Sequence, residues 1–562
     1  MPVTYLCARC KQEHSVSSIA FSMPDTVYQS ITQTLQKAEF REINKKITKN
    51  SDRLKCITVE DVKLYMEGTS QQGTTMYGKL RLTGEWLRKR LEECGIDCNK
   101  LSVDLQTEIY SEDLCFEFAT VGDDTVPVRI STLSGAPISE ERRCPHCGKV
   151  LCKATGTAPE IRVVFQGSSR AGKTSCMIAM IHELLQKDPN ADTGISINSL
   201  DAGRDKQLAN LKEELAWYCK GYMVKKTEDD ALEPYVYSVP LVIDKKPMVL
   251  TMVDMPGEFF DGNSDVVLGP DWFDQYAALY THCDAIWTSM QYHMIVSEDL
   301  SSERINRITE RTGAEEDHIA NATFENYNIR FQEIKKYCDT HGHQLPPHAM
   351  ILSKTDSHAT LLQGKDIQDV MARSFIFEMK ENPADFASPS ERNYNSLIKR
   401  RKVRGREQSV YSEEDAYRIA SLVKGYFQSI NSRVVSLCTA FNSSTSYFAL
   451  SAYGNSPKKR PDMDENGCQD SASAPRCFTP EPYNVCLPLL WTLAVSGHLP
   501  VAYRETTYRN RNFFEVIRMG QGMEKVSSNT KIVTVLDGAD RACFDNLFLK
   551  KPAYSDHLVI EK

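Results

Sequence analysis

The stretch IRVVFQGSSRAGKTS carries Gly167-x4-Gly172-Lys173-Thr174 between a β-branched run and a helix-forming one. Residues of these types at this spacing cradle phosphates. The glycines let the backbone curl, so that the N–H groups from Gly167 through Ser168, Ser169, Arg170, Ala171 and Gly172 turn toward anionic oxygens. The helix behind presents its N-terminus, with Lys173, Thr174 and Ser175 in the first turn, to the same charge. Lys173 would be the point charge for β- and γ-phosphates, and Thr174 a hydroxyl ligand for Mg²⁺. The strand before and the helix after set this apart from a chance Gly/Ser loop.

Three more segments follow in order, each closing an apolar run. MVLTMVDMPGE ends in Asp254, where a carboxylate can hold Mg²⁺ through water, and continues to Gly257, whose N–H can meet a γ-phosphate. AMILSKTD ends in Ser353-Lys354-Thr355-Asp356, and YFALSAYG contains Ser451-Ala452. Each is weak alone. Their joint order at strand ends carries weight, because ligands of open α/β sheets bind at the carboxyl ends of the strands.

Together these motifs resemble the Ras-like (TRAFAC-type) P-loop GTPase superfamily, over residues 159–500 and with large insertions. The resemblance implies GTP and Mg²⁺ as cofactors and a GTP-hydrolysing switch. Asp254–Gly257 matches its DxxG motif. Ser353–Asp356 is similar to [NT]KxD, with Ser in the first position. Asp356 would accept from the guanine N1–H and 2-amino group, a donor pair that adenine lacks. The stem of Lys354 would pack over the base. A backbone N–H at Ser451-Ala452 would contact the guanine O6. The switch I threonine that reaches Mg²⁺ is implied at Thr227, with Thr193 as the alternative; either is equally an exposed loop threonine. Glu258 stands where the family often has a water-orienting glutamine. It would orient water or act as a base, or simply pair with a surface cation. The guanylate-binding proteins, which are dimer-activated, have an arginine at the place of Arg170. That implies a finger in cis and a homodimer; the plainer role is a solvated arginine that steers anions. Two other classes stay open: a P-loop ATPase or small-molecule kinase, and an interaction adaptor with a degenerate nucleotide site.

A second chemistry lies in the cysteines. YLCARCK holds Cys7 and Cys10, and RRCPHCGK holds Cys144 and Cys147. Two C-x2-C knuckles make a four-thiolate Zn²⁺ site, structural because no position is left open for substrate. Their separation implies a zinc ribbon split by an inserted domain. His14, His146 and Cys152 are nearby substitutes. Cys94 and Cys98, and the histidines His341, His343 and His348, read as turn and surface residues. This arrangement of ribbon and GTPase resembles GTPases of bacterial conflict or defence operons, which implies protein partners at the ribbon and the insertions.

The elements that must position these groups alternate. Apolar runs at 161–165, 235–243, 248–253, 285–289, 349–352 and 447–450, interleaved with helical stretches, predict an α/β domain with a mostly parallel sheet. Polar helical insertions are expected near 204–220 and 301–337, and a flexible loop at 455–480. The expected division is zinc ribbon at 1–19 and 136–157, an inserted α+β domain at 20–135, the P-loop GTPase domain at 158–500, and a C-terminal α/β extension at 501–562. The chain has 562 residues, 18 cysteines and a net charge of −8. That balance does not indicate a nucleic-acid binder. No N-terminal apolar leader is read, disulfides are not expected, and the apolar helix near 483–497 is too short to span a bilayer. A cytoplasmic, soluble protein is expected.

Overall fold

A computed structural model of the chain describes residues 3–35, 41–100, 106–139, 141–169, 171–186, 194–198, 200, 206–224, 233–261, 271–290, 324–354, 397–454, 479–480, 482–510, 523–533 and 556–560. Among the described residues the architecture is mixed α/β with five sheets.

The largest sheet has seven strands. In chain order they are β1 (Glu160–Gln166), β2 (Ile195–Ser196), β3 (Tyr235–Ile243), β4 (Lys246–Asp254), β5 (Ala285–Met290), β6 (His348–Leu352) and β7 (Ser446–Ala449), and in space they run β2-β3-β4-β1-β5-β6-β7. Every residue of β5 and β6 is buried, and all of β1 except Glu160. Such buried, mostly apolar strands are what coverage on both faces requires. β4, β1, β5, β6 and β7 pair in parallel, so their carboxyl ends share one edge.

The mostly parallel sheet expected of the P-loop domain is met in part: four of the six pairings in the seven-stranded sheet are parallel. Over all five sheets, antiparallel pairings outnumber parallel ones, and even here β2 and β3 run antiparallel to their neighbours. The reason is local. Asp244 and Lys245 take φ of 48° and 67°, a two-residue turn that returns the chain directly as a hairpin. Parallel strands need a crossover instead.

Helices α1 (Lys173–Gln186), α2 (Lys206–Cys219), α3 (Phe324–Thr340), α4 (Glu413–Phe441) and α5 (Leu487–Val495) accompany this sheet. α3 buries Tyr327, Phe331, Ile334 and Cys338, a stripe at helical spacing. All nine residues of α5 are buried. Its Thr492 hydroxyl accepts from Trp287 Nε1 at 2.9 Å, so the helix is a core element. Among the described residues no helix is long and apolar enough to cross a membrane.

The region 20–135 has its own core, with Phe21, Leu80, Trp86, Leu87, Leu114 and Phe116, under an antiparallel meander of five strands. Its longest strand is Glu108–Val121. Ser111, Glu112 and Asp113, which break the apolar pattern, stay paired with Arg81, Leu80 and Lys79 across the ladder. The boundary expected at 500 cuts a sheet: Arg406–Ser412 pairs with Val501–Asn510 in the sheet that also holds Met523–Val533.

Candidate functional site

β1 ends at Gln166 and α1 begins at Lys173, and residues 167–169 and 171–172 lie in the turn between them on the shared carboxyl edge. Gly167 has φ 139°, and a Cβ there would lie 2.3 Å from the Ser289 carbonyl oxygen at the end of β5. Only glycine fits. Lys173 is buried, and its ammonium donates back to the carbonyls of Gly167 at 2.9 Å and Ser168 at 3.1 Å. The cation is therefore held beside the loop.

Asp254, the last residue of β4, faces the start of α1. The Thr174 hydroxyl donates to its Oδ2 at 2.6 Å. Its other oxygen, Oδ1, is buried without a hydrogen-bond partner. Burial raises the Asp254 carboxyl above its usual range, against the opposing pull of Lys173 and Thr174. A buried carboxylate oxygen beside a threonine hydroxyl is a donor pair suited to a hard divalent cation.

The segment after Asp254 lies against the loop. A Cβ on Gly257 would come within 2.3 Å of Ser169 Cα, so this close approach also requires glycine. Ser169 Oγ donates to Glu258 Oε1 at 3.3 Å, and Ser169 N–H lies 3.4 Å from Asp261 Oδ1. Burial raises the Asp261 carboxyl.

The other strand ends meet the same turn. Ser353, after β6, donates its hydroxyl to the Ala171 carbonyl at 2.6 Å, and Ser289 donates to it at 2.8 Å. Lys354 has φ 57°, and its Cε lies 3.8 Å from where a Cβ of Gly172 would sit. Ser451 and Ala452 follow β7 and are buried. The sequence-derived set at 167–169, 171–175, 254, 257, 258, 353–354 and 451–452 thus lies along one edge of one sheet. Arg170, Thr193, Thr227 and Asp356 lie outside the described residues.

Two supports were not legible beforehand. Tyr327 of α3 accepts from Ser168 N–H at 2.8 Å and donates to Ser289 O at 3.0 Å, which clamps the loop to β5. Asp261 carried no motif. The one available signal was the i, i+4, i+7 stripe that makes Tyr327 an inward position.

At the other candidate centre, the sulfurs of Cys7, Cys10, Cys144 and Cys147 all lie within 4.8 Å of one another. Cys7 Sγ is 3.5 Å from Cys147 Sγ, and Cys10 Sγ is 3.9 Å from Cys144 Sγ. A tetrahedron with Zn–S bonds of about 2.3 Å has sulfurs about 3.8 Å apart, so the cluster could hold a metal ion such as zinc. The two knuckles share a backbone pattern. Lys11 N–H bonds Cys7 O at 2.8 Å, and Gly148 N–H bonds Cys144 O at 2.8 Å. Hydrogen bonding, led by Cys10, holds the Cys144 thiol far below its usual range, while Cys7 and Cys10 are pushed above theirs. His14 Nε2 lies 3.0 Å from Cys10 Sγ as a neighbour of the four-sulfur set. Among the described residues no second such cluster occurs.

His348 is not the surface residue expected; it is fully buried in β6. Its Nε2 lies 2.9 Å from Thr288 Oγ1 and its Nδ1 2.9 Å from Thr445 Oγ1. The Thr445 hydroxyl spends its proton on Asn442 O at 2.6 Å, so Nδ1 carries the hydrogen and Nε2 accepts.

No protein-family model matches the chain, and no curated protein matches it significantly.

Proposed function

We propose that this protein is a guanine-nucleotide-binding P-loop GTPase of the Ras-like kind, a switch whose hydrolysis is slow or partner-stimulated, with a structural zinc ribbon. One observation carries the proposal: Thr174 bonded to Asp254, with the second Asp254 oxygen buried and unpartnered, at the mouth of a glycine turn that leads into a helix. Thr174 and Asp254 would hold Mg²⁺, which when bound neutralises charge on the phosphates. The amides of the turn would bind the β-phosphate, and Lys173 would swing from the Gly167 and Ser168 carbonyls onto phosphate oxygens. Ser353, Lys354 and Asp356 would hold the base, with Ser451-Ala452 on its far side. Glu258 beside Ser169 is near enough to the turn to orient water at the terminal phosphate. Thr227 would complete the cation's ligands and Arg170 would stabilise transition-state charge. Cys7, Cys10, Cys144 and Cys147 would hold Zn²⁺ with no open position, so that centre is architectural. Protein partners would meet the ribbon and the insertions. Function in a bacterial defence or conflict system would suit that layout.

Comparing GTP with ATP binding, in the wild type and in Asp356→Asn and Lys173→Ala, tests the function. GTP should bind at least about tenfold more tightly than ATP, and Asp356→Asn should abolish the preference. Lys173→Ala should lose both nucleotides. Tighter ATP binding by the wild type would make it an ATPase or kinase. Failure to bind either would leave the ribbon of an adaptor as the working part.

A further inference from the structure

The turn after β7 is tied at every peptide. The Ser451 carbonyl accepts from Tyr483 N–H at 2.8 Å, and the Ser451 hydroxyl accepts from Gly454 N–H at 2.9 Å. The Ala452 carbonyl accepts from the Tyr218 hydroxyl at 2.5 Å. Tyr453 OH accepts from Val224 N–H at 2.9 Å, donates to Tyr222 O at 3.2 Å, and engages the Ser175 side chain. The Tyr218 and Tyr453 rings lie 5.1 Å apart, and Tyr218 is fully buried. Tyr218 belongs to α2 and Tyr222 and Val224 follow it, so the polar insertion between α1 and β3 supplies these ties.

A peptide unit is planar and trans, so fixing its C=O also fixes the opposed N–H. Locking Ser451 O on Tyr483 sets the direction of Ala452 N–H. Locking Ala452 O on Tyr218 sets that of Tyr453 N–H. Fixed N–H groups at a base-binding edge choose a purine bearing a 6-oxo acceptor over one bearing a 6-amino donor, because the wrong base leaves buried polar groups facing each other unpaired.

We propose that Tyr218, seconded by Tyr453, is a specificity-determining positioning residue: the insertion helix holds the turn 451–454 so that its amides read a 6-oxopurine. The proposal rests on the guanine-nucleotide function above. The Tyr218 hydroxyl bonds the Ala452 carbonyl, so its effect belongs to the base, whereas Tyr453 also engages Ser175 in the first turn of α1 and is the less selective of the two.

Binding of GDP, IDP and ADP to the full chain, in the wild type and in Tyr218→Phe and Tyr453→Phe, separates the outcomes. IDP keeps the 6-oxo group and lacks the 2-amino group. Tyr218→Phe should weaken GDP and IDP together by about tenfold and leave ADP unchanged, and Tyr453→Phe should do so by about threefold. If Tyr218→Phe does not fold, Tyr453→Phe carries the test alone. Variants that keep the GDP-to-ADP ratio of the wild type, or that lose all three ligands equally, overturn the proposal. A wild type with no preference for GDP over ADP overturns the guanine function itself.

Discussion

Asp254 pulls stability and binding in opposite directions. Its Oδ1 is buried without a hydrogen-bond partner, so the folded chain carries the desolvation cost of a carboxylate there. Asp254→Asn should therefore raise the thermal midpoint of the nucleotide-free protein, by about 1–2 kcal/mol of stability, while lowering Mg²⁺-dependent nucleotide affinity at least about tenfold. A variant less stable and equally tight would contradict both halves. His348 makes a pH prediction. Burial pushes its imidazole down to about 3 from 6.5. Between those values the unfolded chain holds a proton that the folded one refuses, so stability is complete above 6.5 and is lost as pH falls toward 3. The full loss is on the order of 5 kcal/mol. Urea midpoints at about pH 5 and about pH 7.5 should converge in His348→Gln. The two residues differ in legibility. Asp254 closes an apolar run in a recognisable pattern. His348 sits among polar neighbours in DTHGHQLPPH, and nothing local says that Thr288 and Thr445, distant in sequence, complete its hydrogen bonds.

At the scale of elements, apolar runs located the strands well, because β1, β5 and β6 are buried nearly throughout and are mostly apolar, with their few polar residues buried as well. Pairing direction was not legible in the same way. It depends on Asp244 and Lys245 adopting positive φ, which lysine seldom does, so no turn signal marked the β3–β4 hairpin. Helix α3 read as a polar insertion, yet through Tyr327 it holds the turn that precedes α1. Tyr327→Phe keeps the ring and removes the hydroxyl that accepts from Ser168 N–H and donates to Ser289 O. The cost should be about 1–3 kcal/mol in urea unfolding, with weaker nucleotide binding beside it. An unchanged midpoint would show that another group takes over the bond.

Across the whole molecule, the segment that carries Cys7 and Cys10 is built into the seven-stranded sheet. Arg162 of β1 bonds Glu13 at 2.7 Å and Thr4 O at 3.1 Å, and Leu6 N–H bonds Glu160 at 3.2 Å. Leu6 and Ala8 share the main core with β1. The C-x2-C spacing made the four ligands legible, whereas this docking needed the three-dimensional partners of Thr4, Glu13 and Arg162. The metal would close a loop of more than a hundred residues, so its removal should be felt widely. The full chain should contain one Zn²⁺ per molecule, and a strong chelator, or Cys144→Ser, should lower the thermal midpoint by several degrees. A metal-free chain of equal midpoint would remove the centre from the architecture.

Lys11 directly follows Cys10 of the four-cysteine cluster. Its ammonium pairs with Glu233, two residues before β3, and sits 5.2 Å from the centre of the Tyr276 ring. One side chain thus joins the cluster to the chain entering β3. Co²⁺ held by the four sulfurs would turn that link into colour, its ligand-field bands reporting a change in the chain entering β3.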